Sequence, residues 1–314
     1  MKLWFNKPYH SLDYELRTTF GEKLYRITLN AGLTCPNRDG TLGVDGCIFC
    51  SSKGSGDFAG DKRLSLSEQL ANGKLSLANK REIKSYIAYF QAFTNTYGKP
   101  EVLEKLYLEA MRDEQVKVLA IATRPDCLED DILALLDRMN KIKPVWIELG
   151  LQTIHESTAK YIRRGYSLPI FEEKVNALQS MRIPIIAHVI LCLPGETIEM
   201  MLETIDYLNH LKVQGIKLSL LHILKDTDLA VEYEKNSFWV PTMEEYLELL
   251  GKCICRLDPN MTIHRLTGDG PKDLLMAPIW TSAKRTVLNR LHQYLKENEL
   301  WQGKNYDKAK KSNE

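Results

Sequence analysis

Nowhere in the 314 residues is there an apolar run of the about 18 residues that a membrane helix needs. The opening MKLWFNKPYH also lacks the hydrophobic stretch of a secretory leader, so the chain is expected in the cytoplasm, away from membranes, with reduced thiols. Charge of one sign is scarce as well. With 42 Lys plus Arg against 41 Asp plus Glu, the net charge of +1 does not demand a polyanion partner. Both ends of the chain are nevertheless net positive and the middle is net negative, which leaves room for such a partner at the ends. Glycine (18) and proline (12) are too few for a fibrous or low-complexity chain, and 44% hydrophobic with 26% charged residues is ordinary globular composition. No repeat and no clear domain break interrupt the chain, and (β/α) barrels run to this length as one unit.

One further absence is local. Three of the seven cysteines, Cys35, Cys47 and Cys50, share the loop CPNRDGTLGVDGCIFC, and no Cys or His follows Cys50 until Cys127. Iron–sulfur cubanes are normally held by four thiolates, so three leave one iron open to a ligand that is not protein. A structural zinc site also uses C-x2-C but needs a fourth ligand, which this stretch does not provide. The loop is rich in Gly, Pro, Asn and Asp, residues that turn the chain and reach left-handed conformations, so it reads as a ligand cradle.

Beyond it, short apolar β-type runs alternate with amphipathic helical stretches, the pattern of parallel βαβ units. Strands are expected at 24–31, 85–92, 117–124, 144–151, 184–191 and 216–223. Helices are expected near 101–112, 128–140, 155–163, 170–181, 197–212, 241–260 and 282–298. The polar residues of these strands gather at their C-terminal ends: Gln91, Asn95 and Thr96; Thr123, Arg124 and Asp126; Glu148 and Gln152; His188 and Glu196; His222 and Lys225. In a (β/α) barrel that rim binds ligands.

Taken together these residues resemble the radical S-adenosylmethionine (SAM) superfamily over most of the chain. CIFC matches the family's C-x-aromatic-C close, with Phe49 as the aromatic. ELGLQT (148–153) with RRGY (163–166) is similar to the fourth-strand block of the branch containing the elongator catalytic subunit, and HVILCLPGET (188–197) to its fifth-strand block. CPNRDGT, GSGDFAG, YFQAFTNTY, ATRPDC and HRLTGDGP resemble the blocks of a bacterial subfamily linked to tRNA wobble-uridine modification. The spacing departs from the common pattern, with C-x11-C-x2-C in place of C-x3-C-x2-C.

The resemblance implies an α/β fold, a partial (β/α)6 TIM-type barrel over residues 1–240 with an N-terminal extension and a cluster loop at 32–60. A helical extension, 241–314, packs on it and ends in a disordered tail, 303–314. It implies a 4Fe–4S cluster on Cys35, Cys47 and Cys50, and SAM on the open iron, cleaved by one electron to methionine and a 5′-deoxyadenosyl radical. Gln91 and Asn95 follow the second strand, where the superfamily contacts the SAM amino group. Glu148 and Gln152 either bond the ribose hydroxyls or methionine portion, or tie strand to helix. Arg164 pairs with the SAM carboxylate, in competition with Arg163. His188 faces the adenine or the core. Arg124 and Asp126 line the substrate side or tether each other, and His264, Arg265 and Asp269 shape the substrate mouth or a turn. Cys127, Cys192, Cys253 and Cys255 read as buried thiols, although a radical methylase would need Cys253 or Cys255 for catalysis. No catalytic acid or base is identified.

The implied activity is modification of a tRNA wobble-uridine side chain, from carboxymethylaminomethyl toward aminomethyl, with an electron donor such as flavodoxin or ferredoxin. The alternatives are a radical SAM enzyme acting on a small metabolite and a zinc-stabilised RNA-binding module.

Overall fold

The structure, a computed structural model, describes residues 2–78, 83–235, 238–268 and 270–306. In chain order its elements are α1 (Leu12–Phe20), β1 (Tyr25–Leu29), α2 (Leu66–Ala78), β2 (Tyr86–Phe90), α3 (Pro100–Met111), β3 (Val116–Thr123), α4 (Asp130–Ile142), β4 (Val145–Gln152), α5 (Glu156–Tyr161), α6 (Leu168–Ser180), β5 (Ile185–Leu191) and α7 (Ile198–His210). There follow β6 (Gly215–Leu220), β7 (Ile223–Leu224), α8 (Asp228–Glu234), α9 (Met243–Arg256), β8 (Thr262–Arg265), β9 (Leu275–Ala277) and α10 (Lys284–Glu297). Seven strands form one sheet in the order β1-β2-β3-β4-β5-β6-β8, the α/β, partial-barrel class that the resemblance implies. No helix of the described residues is long and apolar enough to cross a membrane.

The chain divides into two compact units, residues 16–150 with 165–186, and residues 1–15 with 151–164 and 187–314. In the first, β1 to β4 pair in parallel, and β2 is buried at every position. Continuous burial is why these strands are apolar throughout rather than alternating. Across them Tyr89, Ala120 and Trp146 lie level in register, large–small–large, and all three are buried.

In the second unit β6 pairs in parallel with β8, and β7 with β9 antiparallel. α9 begins where Thr242 Oγ1 accepts from the Glu245 amide (3.3 Å) while the Glu245 carboxylate accepts from the Thr242 amide (2.7 Å), a reciprocal cap that the T-x-x-E spacing encodes. α10 follows with Val287, Leu291 and Leu295 buried. Gln302, 1% exposed, binds the N-terminal segment: its side chain accepts from the His10 amide (2.8 Å) and donates to the Asp258 and Met261 carbonyls.

The six strands expected are all present, as β1 to β6. The sequence reading missed α1, which buries only Leu16, the seven-residue α8, the four-residue β8, half-exposed at His264 and Arg265, and the three-residue β9. None leaves a periodic pattern long enough to see. The tail expected to be disordered lies outside the described residues from 307 onward, as does Asp269.

Candidate active site

In the first unit the site grows from the loop after β1. Between Cys35 and Cys47 the chain doubles back: the Leu42 amide donates to the Pro36 carbonyl (2.8 Å) and the Gly46 amide to the Asn37 carbonyl (2.8 Å). The excursion 38–45 is thereby closed off, with its tip residues Leu42 and Val44 exposed. Along the path shortened by the Asn37–Gly46 bond, only Pro36, Asn37 and Gly46 separate the two cysteines. C-x11-C in sequence is thus C-x3-C in space, and the Cys50 amide closes the next turn on the Cys47 carbonyl (2.9 Å).

The three thiols are unbridged by disulfides, and each stands on a half-buried residue. Burial pushes the Cys47 thiol up to about 12, opposed by the Arg124 guanidinium and by Asn37, whose Nδ2 donates to Cys47 Sγ at 3.5 Å. Burial also raises Cys50, opposed by Arg38 and by a hydrogen bond from Ser55. Arg38 braces the backbone, with Nη2 donating to the carbonyls of Cys50 (2.9 Å) and Ser51 (2.7 Å). Among the described residues no group of three or more His, Cys, Asp or Glu is gathered about a point that could hold one metal ion.

The residues after β2 come to the same loop. The Thr94 amide donates to the Thr34 carbonyl at 3.2 Å, next to Cys35, and Gln91 Nε2 donates at 2.7 Å to the carbonyl of Ser55. Asn95 is fully buried. Its Nδ2 donates to the Phe90 and Ala122 carbonyls, while its Oδ1 has no partner among the described residues. Glu148, 1% exposed, pairs with Arg26 on β1.

Arg124 completes this side. Its guanidinium makes a two-pronged bond to Asp126, Nε to Oδ1 at 2.9 Å and Nη2 to Oδ2 at 2.6 Å, and lies 5.3 Å from the Tyr166 ring centre. Of the two readings open for Arg124 and Asp126, the mutual tether is present. Gly165, at φ +85°, lies against both Asn37 and Arg124: a Cβ there would stand 2.7 Å from Asn37 Oδ1 and 3.1 Å from Arg124 Nη2. Only glycine fits, which explains the RRGY block.

In the second unit, Gln152 ends β4 at φ +64° and is half-buried, and His188 is half-buried on β5. Arg164 is 2% exposed. It donates to the carbonyls of Leu151 (3.3 Å) and Thr153 (2.7 Å) and pairs with Glu156 at 3.0 Å. Arg163 is the exposed one, bonded to Asp228. Glu196 accepts from Thr153 Oγ1 at 2.5 Å, and burial raises its carboxyl. Beyond β6, a Cβ on Gly268 would stand 2.4 Å from His222 Cε1, so the late glycine-containing block covers that imidazole. Cys192, Cys253 and Cys255 are buried in this unit, and Cys127 in the first, as expected.

The sequence reading did not assign Asn37, Arg38, Ser55 or Arg26. The first three sit inside blocks it quoted. Arg26 carried one signal, a lone charge in an apolar strand.

A family model described as the Radical SAM superfamily matches residues 33–208, and one described as the Radical_SAM C-terminal domain matches residues 213–297. The uncharacterized protein YtqA of Bacillus subtilis is 42% identical over 95% of this chain and 92% of its own length. The tRNA uridine(34) acetyltransferase of Methanocaldococcus infernus is 24% identical over 50% of this chain, which spans only 30% of that protein. Among solved structures, Methanocaldococcus infernus Elp3 lacking residues 1–46 shares the fold with a TM-score of 0.68 at 15% identity, over 89% of this chain and 64% of that one.

Proposed function

We propose, because the chain belongs to the radical SAM superfamily, that this enzyme acts on tRNA, remodelling a wobble-uridine side chain from carboxymethylaminomethyl toward aminomethyl. The similarity to the archaeal tRNA uridine(34) acetyltransferase carries the choice of substrate. The net positive charge of both chain ends is compatible with a phosphate backbone.

The cofactors are a 4Fe–4S cluster and SAM. When bound they supply one-electron cleavage of a carbon–sulfur bond of SAM, chemistry able to break a carbon–carbon or carbon–nitrogen bond beside an unactivated methylene. The residues fit them. Three unbridged thiols stand in one loop, where Arg38, Arg124 and the amide donor Asn37 oppose the burial that raises Cys47 and Cys50. Cys35, Cys47 and Cys50 would hold the cluster. For SAM the expected set is Gln91, Asn95, Glu148, Gln152, Arg164 and His188. Within it, Asn95 Oδ1 is an acceptor that nothing among the described residues uses, suited to an amino group. Glu148 and Arg164 are committed to partners of the chain itself. A low-potential donor such as flavodoxin or ferredoxin would supply the electron.

The test is nucleoside analysis of tRNA from cells with and without the protein, together with SAM cleavage by anaerobically purified, reduced protein. Accumulation of the carboxymethylaminomethyl form in its absence is expected. Unchanged wobble nucleosides would remove the tRNA reading in favour of a small-molecule substrate, and colourless protein that leaves SAM intact would remove the cofactor reading.

A further inference from the structure

We propose that Arg124, held by Asp126 and stacked on Tyr166, sets the reduction potential of the cluster on Cys35, Cys47 and Cys50. The inference rests on the cluster reading above and concerns what surrounds the thiols rather than the thiols themselves.

Accepting one electron from a low-potential one-electron donor adds one negative charge to the cluster and its thiolates, with no bond formed or broken. Among half-buried residues that charge is costly unless a fixed cation stands near. Two guanidinium groups do so, and their geometry separates their roles. Arg38 spends Nη2 on the Cys50 and Ser51 carbonyls, and a Cβ on Gly46 would stand 2.8 Å from its Nε, so it is packed into the loop as a brace. Arg124 is held instead by the Asp126 carboxylate. Its Nη2 and Asn37 Oδ1 flank the same point at Gly165, 3.1 Å and 2.7 Å from it, and Asn37 Nδ2 donates to Cys47 Sγ. The guanidinium is therefore one side chain removed from a cluster ligand.

Arg124 is 9% exposed, and a buried ion pair of this kind gains little over packed apolar side chains. Asp126 fixes the guanidinium and offsets part of its charge, while Tyr166 covers its face. Charge, hydrogen bonds near the sulfurs and burial are the terms that tune cluster potentials, and Arg124 with Asn37 supplies the first two.

The experiment is a redox titration of the full-length protein, anaerobically reconstituted with iron and sulfide, followed by electron paramagnetic resonance and iron content. Arg124→Gln is expected to lower the midpoint by about a tenfold change in the reduced-to-oxidised ratio, about 59 mV for one electron. Arg124→Lys keeps the charge and restores most of that shift. Asp126→Asn removes the counter-charge and moves the midpoint the opposite way, upward. A purely structural role predicts lower iron content in all three variants with an unshifted midpoint in the remainder, and that result overturns the inference. If Arg124→Gln does not fold, an unshifted Asp126→Asn decides the matter alone. Wild-type protein that takes up no iron would remove the cluster reading, and this inference with it.

Discussion

Arg26 on β1 reaches Glu148 on β4 across two intervening strands, Nη1 to Oε1 at 2.7 Å, with the carboxylate wholly buried. Three strand spacings of about 4.8 Å would put the two backbones roughly 14 Å apart in a flat sheet. Two long side chains cover that span, and the small Ala120 and Ala122 leave room between them on β3, where Ala122 lies level with Glu148. The Tyr89 ring, 5.0 Å from the Arg26 guanidinium, fills one side. Glu148→Ala leaves a guanidinium in that space without its anion, a loss of about 3–5 kcal/mol by chemical denaturation. Arg26→Met with Glu148→Met should cost less than either single change. A double variant less stable than both would show that the pair does not act as a unit.

Arg164 is tied down in the same manner, to the carbonyls of Leu151 and Thr153 and to Glu156. Arg164→Met should therefore lower the melting temperature, since each buried carbonyl left unpaired costs about 1–3 kcal/mol. SAM affinity of the folded protein should stay unchanged in equilibrium binding. Loss of affinity without loss of stability would return Arg164 to the carboxylate-binding role that the resemblance implies.

These two arginines show where sequence reading succeeds and where it stops. β1 to β6 were legible because buried parallel strands are nearly continuous apolar runs, and the rim because polar residues cluster where those runs end. Direction within the rim was not legible. Glu148 and Arg164 sit at the expected strand end and strand-to-helix block, yet their partners, Arg26 and two backbone carbonyls, come from segments that no spacing rule connects to them. Asn37 and Arg38 were hidden by the same limit, since their importance depends on a loop closure invisible in linear order.

Glu196 carries a pH signature. Burial raises its carboxyl above the ordinary value of 4.5, opposed by Thr153, His155 and Thr158. A raised folded-state value means that the folded protein holds the proton longer than the unfolded chain does. Its contribution to stability is full below about 4.5 and is lost as pH climbs through the folded value. Wild type should therefore lose stability relative to Glu196→Gln as pH rises from about 4.5, in denaturation midpoints at successive pH values. Parallel curves would show that Glu196 titrates as in the unfolded chain.

The closure of the cysteine loop makes the last prediction, because it separates residues that carry the thiols from residues that merely fill the gap. The bond between the Gly46 amide and the Asn37 carbonyl places the excursion 38–45 outside the path from Cys35 to Cys47. Lengthening an exposed tip costs little, as closure entropy grows only with the logarithm of length. Two glycines inserted between Thr41 and Leu42 should therefore leave iron per protein unchanged after anaerobic reconstitution. One glycine inserted between Gly46 and Cys47 lengthens the shortened path itself and displaces Cys47 from Asn37, so iron content should fall several-fold. If the tip insertion is as damaging as the path insertion, the eleven-residue gap acts as one unit and its likeness to a three-residue spacing is coincidental.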